Sequence, residues 1–99
     1  MNTQLSVLLD EAKAWMACQA SAIPQSEKWY ALGNFKAFIE AIEREPSEQS
    51  IEKAVYALRH HIVDQYDWSA DYCKSISDFC NRTDHIRRGM KRQRQVKDN

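Results

Sequence analysis

The chain has 99 residues, with 14 basic and 14 acidic side chains and a formal net charge of zero. That length suits one domain and is too short for two. Two glycines and two prolines are too few for the tight turns of a many-stranded sheet, and 43% hydrophobic residues exceed what a disordered chain carries. The composition therefore predicts one folded domain built mainly from helices.

The start of the chain and its cysteines predict a compartment. The first residues, MNTQLSVLLDEAKAW, lack the basic start and the continuous apolar run of a secretory signal. No apolar run is long enough to span a membrane. Three cysteines are an odd number without a Cys-x-x-Cys motif, which argues against a disulfide framework. We therefore predict a cytoplasmic protein with reduced thiols, no cofactor and no membrane partner.

Apolar residues at helical spacing predict two helices in the first half of the chain. The first runs from about Thr3 to Ala22, with Thr3 or the residue before it as N-cap, and is ended by Pro24. The second runs from its N-cap Ser26 to Glu45, just before the other proline. The positions expected to be buried are Leu5, Leu8, Leu9, Ala12, Trp15, Met16, Ile23, Ala31, Leu32, Phe35, Phe38, Ile39 and Ile42.

Both of these helices also carry a second, weaker apolar stripe. A helix with two apolar faces either lies centrally in its bundle or contacts a partner outside it, and the central position is favoured here. Gly33, inside the second helix, is interpreted as a sign of close helix–helix approach. The residues of the weaker stripes are Val7, Ala14, Cys18, Tyr30, Ala37 and Ala41.

Two further helices are predicted in the second half of the chain. The third runs from Ser47 to about Tyr66, and the fourth starts near Asp67 or Ser69. No glycine or proline separates them, so one long bent helix is the alternative. The chain is thus predicted to be an all-α, compact antiparallel bundle of four helices, or of three with a long bent last helix. Their apolar faces are Ile51, Ala54, Val55, Leu58, Ile62, Tyr66, Trp68, Tyr72, Ile76, Phe79, Ile86 and Met90.

The zero net charge hides a strong asymmetry along the chain. Residues 1–81 carry seven basic and twelve acidic side chains, whereas residues 82–99 carry seven basic and two acidic ones. The apolar stripe stops at Met90, and Arg94 and Lys97 stand where it would continue. We therefore predict a bundle domain over residues 1–90 and a frayed, flexible basic tail over residues 91–99.

Three roles are open for this basic end. It can bind nucleic acid through phosphates, dock on an acidic protein surface, or simply aid solubility and suit the dipole at a helix C-terminus. No aromatic residue follows position 80, which disfavours base stacking on single strands. A helix-turn-helix is also disfavoured, because Asp71 near the start of the reading helix would repel phosphates.

Candidate catalytic and metal-binding groups are few. Cys73 and Cys80 lie seven residues apart on one side of a helix, while His85 projects more than 100° away around it, so a metal site is not predicted. The two cysteines are expected to be buried free thiols, and Cys18 a small filler. His60 and Asp64 are spaced to touch on the third helix, but no nucleophile is placed beside them. We predict no enzyme activity.

The sequence favours a small helical binding or regulatory protein, such as an adaptor, an inhibitor or an antitoxin-like regulator, that contacts another protein or complex. The alternative is a nucleic-acid-binding protein that uses the basic end, and a homodimer stays open. Aromatic and arginine side chains carry most interface energy, so they form the predicted contact set. Its members are Trp29, Tyr30, Tyr56, Trp68, Arg87, Arg88, Lys91, Arg92 and Arg94.

Overall fold

The computed structural model describes residues 2–19, 23–65 and 70–97, with the side chains of residues 61–65 and 93–97 outside that description. Four α-helices account for most of these residues, and the predicted all-α bundle is confirmed. The helices are α1 (Thr3–Ala17), α2 (Glu27–Arg44), α3 (Glu48–Gln65) and α4 (Asp71–Lys97).

Side-chain oxygens cap the first three helices, as residue type predicts. The Asn2 side chain accepts a hydrogen bond from the backbone of the third residue after it at 3.2 Å. Ser26 does the same for the Trp29 N–H at 3.2 Å, and Ser47 for the Ser50 N–H at 3.1 Å. The predicted cap of α2 is confirmed, and of the two candidates for α1 the structure uses Asn2.

Two helix ends differ from the prediction. α1 ends at Ala17 rather than near Ala22, because the Cys18 N–H bonds to the carbonyls of both Ala14 and Trp15 and tightens the last turn. α3 and α4 are separate helices, and α4 starts at Asp71, later than predicted. The predicted break at residues 66–69 lies outside the described residues.

At its other end α4 continues beyond Met90 to Lys97. The sequence predicted a frayed tail here, and the helical backbone instead runs through residues 91–97. A helix needs no apolar stripe to continue when its residues are good helix formers, as Lys, Arg and Gln are. The boundary between a 1–90 domain and a flexible 91–99 tail stays a prediction.

Contacts across α4 show that its neighbours run in the opposite direction. Trp15 of α1 packs near Phe79 of α4. Glu11, which is earlier on α1, pairs with Arg82, which is later on α4. On the other side, the Arg59 side chain of α3 hydrogen-bonds Asn81, while Glu52, which precedes it on α3, lies 4.0 Å from the Arg87 guanidinium. The three-residue connection at 45–47 places α2 beside α3.

The core is one cluster of side chains from all four helices. Trp15 and Phe79 flank the fully buried Phe35, with ring centroids 5.7 and 5.6 Å from it, and Phe38 stacks on Phe35 at 5.9 Å. Most of the predicted apolar faces are buried here. The buried hydrophobic residues are Leu5, Leu8, Leu9, Ala12, Ala31, Phe35, Phe38, Ile39, Ile42, Ile51, Val55, Leu58, Cys73, Ile76, Phe79 and Cys80.

Several predicted packing roles are wrong. Ile23 is 77% exposed, because α1 ends before it and no helical register carries it to the core. Gly33 marks no close approach: a Cβ atom there would meet nothing within 4 Å. Cys18 is exposed rather than a filler, and the weaker stripes face outward, with Val7 53% and Tyr30 50% exposed. α1 and α2 are therefore not central helices with two buried faces.

Candidate partner-binding surfaces

The aromatic surface, as we call Trp29 and Tyr30, lies on the first turn of α2. The Ser26 cap fixes that turn, since the side chain and the carbonyl of Ser26 accept from the Trp29 and Tyr30 N–H groups respectively. The two rings meet edge to face with centroids 5.0 Å apart, yet remain 44% and 50% exposed. They border an open groove of about 430 Å³ whose other lining residues are Met16, Leu32, Gly33, Asn34 and Lys36.

The other predicted aromatic residues do not join this surface. Tyr56 lies on α3, is 75% exposed, and stacks parallel to the His60 ring with centroids 6.5 Å apart. It borders a separate open groove with Glu52 and Lys53. Trp68 lies outside the described residues.

The predicted basic residues split between the bundle surface and an internal cluster. Arg87 is only 15% exposed, and its Nε donates to Asp84 Oδ1 at 2.9 Å. Arg88 is 62% exposed, although one of its nitrogens lies 3.2 Å from Asp84 Oδ2. Lys91 and Arg92 are exposed, and Arg94 belongs to α4 with its side chain outside the description.

Asp84 is the centre of this cluster, and the sequence analysis missed it. Its carboxylate is 6% exposed and also lies 3.6 Å from Arg59 of α3. Burial alone would raise the pKa of Asp84, but the hydrogen bond from Arg87 and the charges of Arg87, Arg59 and Arg88 lower it below its ordinary value. Asp84 is therefore a buried carboxylate that ties α4 to α3.

The basic surface, as we call Arg88, Lys91 and Arg92, occupies one face of α4. Positions i, i+3 and i+4 lie on the same side of a helix, so the three cations project together. Among the contacts of the described residues, Arg88 is the one of the three that has an ion pair.

The aromatic and basic surfaces lie far apart. Lys28, next to Trp29, places its Nζ 6.0 Å from the centre of the Tyr72 ring, near the start of α4. Lys91 follows Tyr72 by nineteen residues on the same helix, which is about 29 Å at 1.5 Å per residue. The two parts of the predicted contact set are thus at opposite ends of a bundle that is 51 Å long.

A groove between α1 and α4, here the α1/α4 groove, is a further surface feature. It is open, has a volume of about 580 Å³ and is lined mostly by apolar atoms. Only the periodicity of the weaker stripe, which includes Val7, hinted at it in the sequence. Its lining residues are Thr3, Gln4, Val7, Leu8, Asn81, Arg82, His85 and Ile86.

The cysteines are placed as predicted for α4. Cys73 and Cys80 are buried free thiols, and burial is the main cause that raises the pKa of Cys80 to about 11. The Cys80 thiol points to the Val55 carbonyl at 3.8 Å. His60 is exposed, whereas the side chain of its predicted partner Asp64 lies outside the description. Among the described residues, no three His, Cys, Asp or Glu side chains are grouped to hold a metal ion.

Comparison with protein-family models, with curated proteins and with solved structures finds no match for this chain. No helix in the described ranges has the length and apolar character needed to cross a membrane.

Proposed function

We propose that this protein is a non-catalytic adaptor that contacts two macromolecular partners, one at each end of the bundle. The observation that supports the proposal is the separation of about 29 Å, derived above from the length of α4, between the aromatic and the basic surface. A standard interface buries about 800 Å² per partner, which is a patch about 30 Å across, so a single partner would have to span the whole of such a patch to reach both surfaces.

The chemistry of the two ends supports different partners. Trp29 and Tyr30 offer two large rings that pack edge to face on a capped helical turn, and aromatic side chains lose little conformational entropy on binding. The basic surface instead offers charge, which speeds association with an acidic surface and adds specificity more than affinity.

Affinity purification from the native host, with quantitative identification of what co-purifies, tests this proposal. The variant Trp29→Ala/Tyr30→Ala should lose one set of partners, and Arg88→Glu/Lys91→Glu/Arg92→Glu should lose another. Ile23→Ala, at a side chain that is 77% exposed, is the control for an exposed apolar residue outside the predicted contact set, and Lys74→Glu is the control for an exposed cation on α4. If both multiple variants lose the same single partner, or neither loses any, the adaptor proposal is wrong.

Nucleic-acid binding through the basic surface is the second candidate. It is favoured by the continuation of α4 to Lys97, which presents Arg88, Lys91 and Arg92 on one helical face. Three phosphate contacts predict a log–log salt dependence with a slope of about −2.7 for duplex DNA. A duplex titration at several salt concentrations, with Lys74→Glu as control, measures it. No binding at low salt, or binding unchanged in the triple charge reversal, would exclude this candidate.

A further inference from the structure

The floor of the α1/α4 groove is aliphatic and accessible. Val7 of α1 is 53% exposed, and Leu8 and Ile86 lie beside it, with Ile86 half-buried against the core. This floor has the size and composition of a site for large aliphatic side chains. Helical partners fill such grooves with residues spaced three, four and seven positions apart.

The two walls of the groove differ in charge. On the α1 side, Thr3 and Gln4 are uncharged. On the α4 side, His85 lines the groove, and the exposed Arg88 and Arg92 follow it at i+3 and i+7, outside the lining itself but along the same side of the helix.

The arginine that does line the groove, Arg82, is already paired. Arg82 lies 2.8 Å from Glu11 of α1 and 3.9 Å from Asp78 on its own helix. Arg82 is thus matched by two carboxylates, whereas Arg88 shares the single carboxylate of Asp84 with two other arginines and Arg92 has no ion pair among the described contacts. Arg88 and Arg92 therefore form the charged edge beside the groove. That edge belongs to the basic surface.

We propose that the α1/α4 groove binds an acidic amphipathic helix of a partner protein. Aliphatic side chains of that helix pack on Val7 and Ile86, and its carboxylates lie opposite Arg88 and Arg92. From His85 to Arg92 this side of α4 is about 10 Å long, or two helical turns, which suits a short helix. This inference rests on the proposed function, because it names the chemistry of the partner that the basic surface takes.

Selection from a displayed library of random 16-residue peptides tests the proposal without knowledge of the partner. The enriched peptides should combine Asp or Glu with Leu, Ile or Phe at helical spacing, and should become helical on binding. Val7→Glu should weaken their binding at least tenfold, and Arg92→Glu at least threefold. Ala14→Glu, an exposed change on α1 that is not in the groove lining, and Lys74→Glu should leave it unchanged.

Three results would overturn the proposal. The first is selection of peptides without acidic residues, or of none. The second is binding that Val7→Glu does not weaken while its circular dichroism shows a folded helical protein. The third is a dimer, seen by sedimentation, that Val7→Glu dissociates, since a second copy would then fill the groove. If co-purification still depends on the basic surface after such a result, only this inference fails and the proposed function stands.

Discussion

Arg87 and Asp84 lie three residues apart on α4 and form a hydrogen-bonded ion pair, 2.9 Å from Nε to Oδ1, with both side chains largely buried. The same arginine reaches Glu52 of α3 at 4.0 Å, and the same carboxylate reaches Arg59 of α3 at 3.6 Å. The pair therefore holds the α3/α4 seam together and orients the neighbouring Arg88, which is bound to the other carboxylate oxygen of Asp84.

Asp84→Asn should lower the free energy of unfolding by about 2 kcal/mol, because a hydrogen bond to a charged group contributes roughly 1.5–3 kcal/mol. Urea denaturation followed by circular dichroism measures the change. Asp78→Asn is the matched control: Asp78 is 68% exposed and 3.9 Å from Arg82, so its loss should cost under about 0.5 kcal/mol. Equal effects of the two substitutions would show that Asp84 does not organise the seam.

The free energy of unfolding should depend on pH through the ionisation of Asp84. Its pKa is lower in the folded chain than in the unfolded chain, where it is about 3.9, so the ionised carboxylate stabilises the fold above that pH. This contribution is lost as the pH falls below about 4 and through the folded pKa. We expect the difference in urea stability between the native sequence and Asp84→Asn to be constant from about pH 5 to 8 and to shrink below about 4. A difference that does not change with pH would contradict the prediction.

How much of this could be predicted from the sequence depends on whether a feature is local. The helices, the Ser26 cap and the buried Phe35 follow from periodicity and residue type within one segment. Asp84 could not be found this way, because acidic residues are rarely buried and its burial depends on Arg59, which a different helix supplies. The exposure of Gly33 depends in the same way on which neighbours pack against α2.

The predicted partner-contact residues also show that sequence alone does not reveal how helices pack against one another. Residue type singled out Trp29 and Arg88, but their separation along the bundle follows from the direction in which α2 and α4 pack. Arg87 and Arg88 are the same residue type but have opposite environments. Adjacent residues lie about 100° apart around a helix, and Arg87 is the one that faces α3. The sequence therefore predicted the residue types of the surfaces and not their arrangement.

The three thiols should differ sharply in reactivity. Cys18 is exposed, whereas Cys73 and Cys80 are buried, and the pKa of Cys80 is raised to about 11, so little of its reactive thiolate forms at pH 8. Alkylation with iodoacetamide at pH 8, followed by mass spectrometry, should label Cys18 rapidly and the other two only with unfolding. Cys18→Ala should abolish the fast phase. Fast labelling of Cys80 in folded protein would contradict its burial.

Phe35→Ala should be among the most damaging single changes. The ring is fully buried and contacts three other aromatic rings of the core, so its removal leaves a cavity and costs about 3–5 kcal/mol. Chemical denaturation measures the loss, and near-ultraviolet circular dichroism reports the packing of the remaining rings. Tyr56→Ala, at a ring that is 75% exposed, should change stability by less than about 0.5 kcal/mol. A loss at Phe35 no larger than this control would show that the aromatic cluster does not organise the core.

Gly33→Ala should stabilise the protein. Gly33 is inside α2 with a negative φ, and an added Cβ would meet nothing within 4 Å, so alanine brings its higher helix propensity without a clash. The gain is about 0.5–1 kcal/mol, or a rise in Tm of roughly 4 °C for a domain of this size. Ala37→Gly, at an exposed position one turn further along α2, is the reverse control and should lower the Tm by a similar amount. Differential scanning calorimetry measures both, and a lower Tm for Gly33→Ala would mean that a neighbouring segment packs against this position after all.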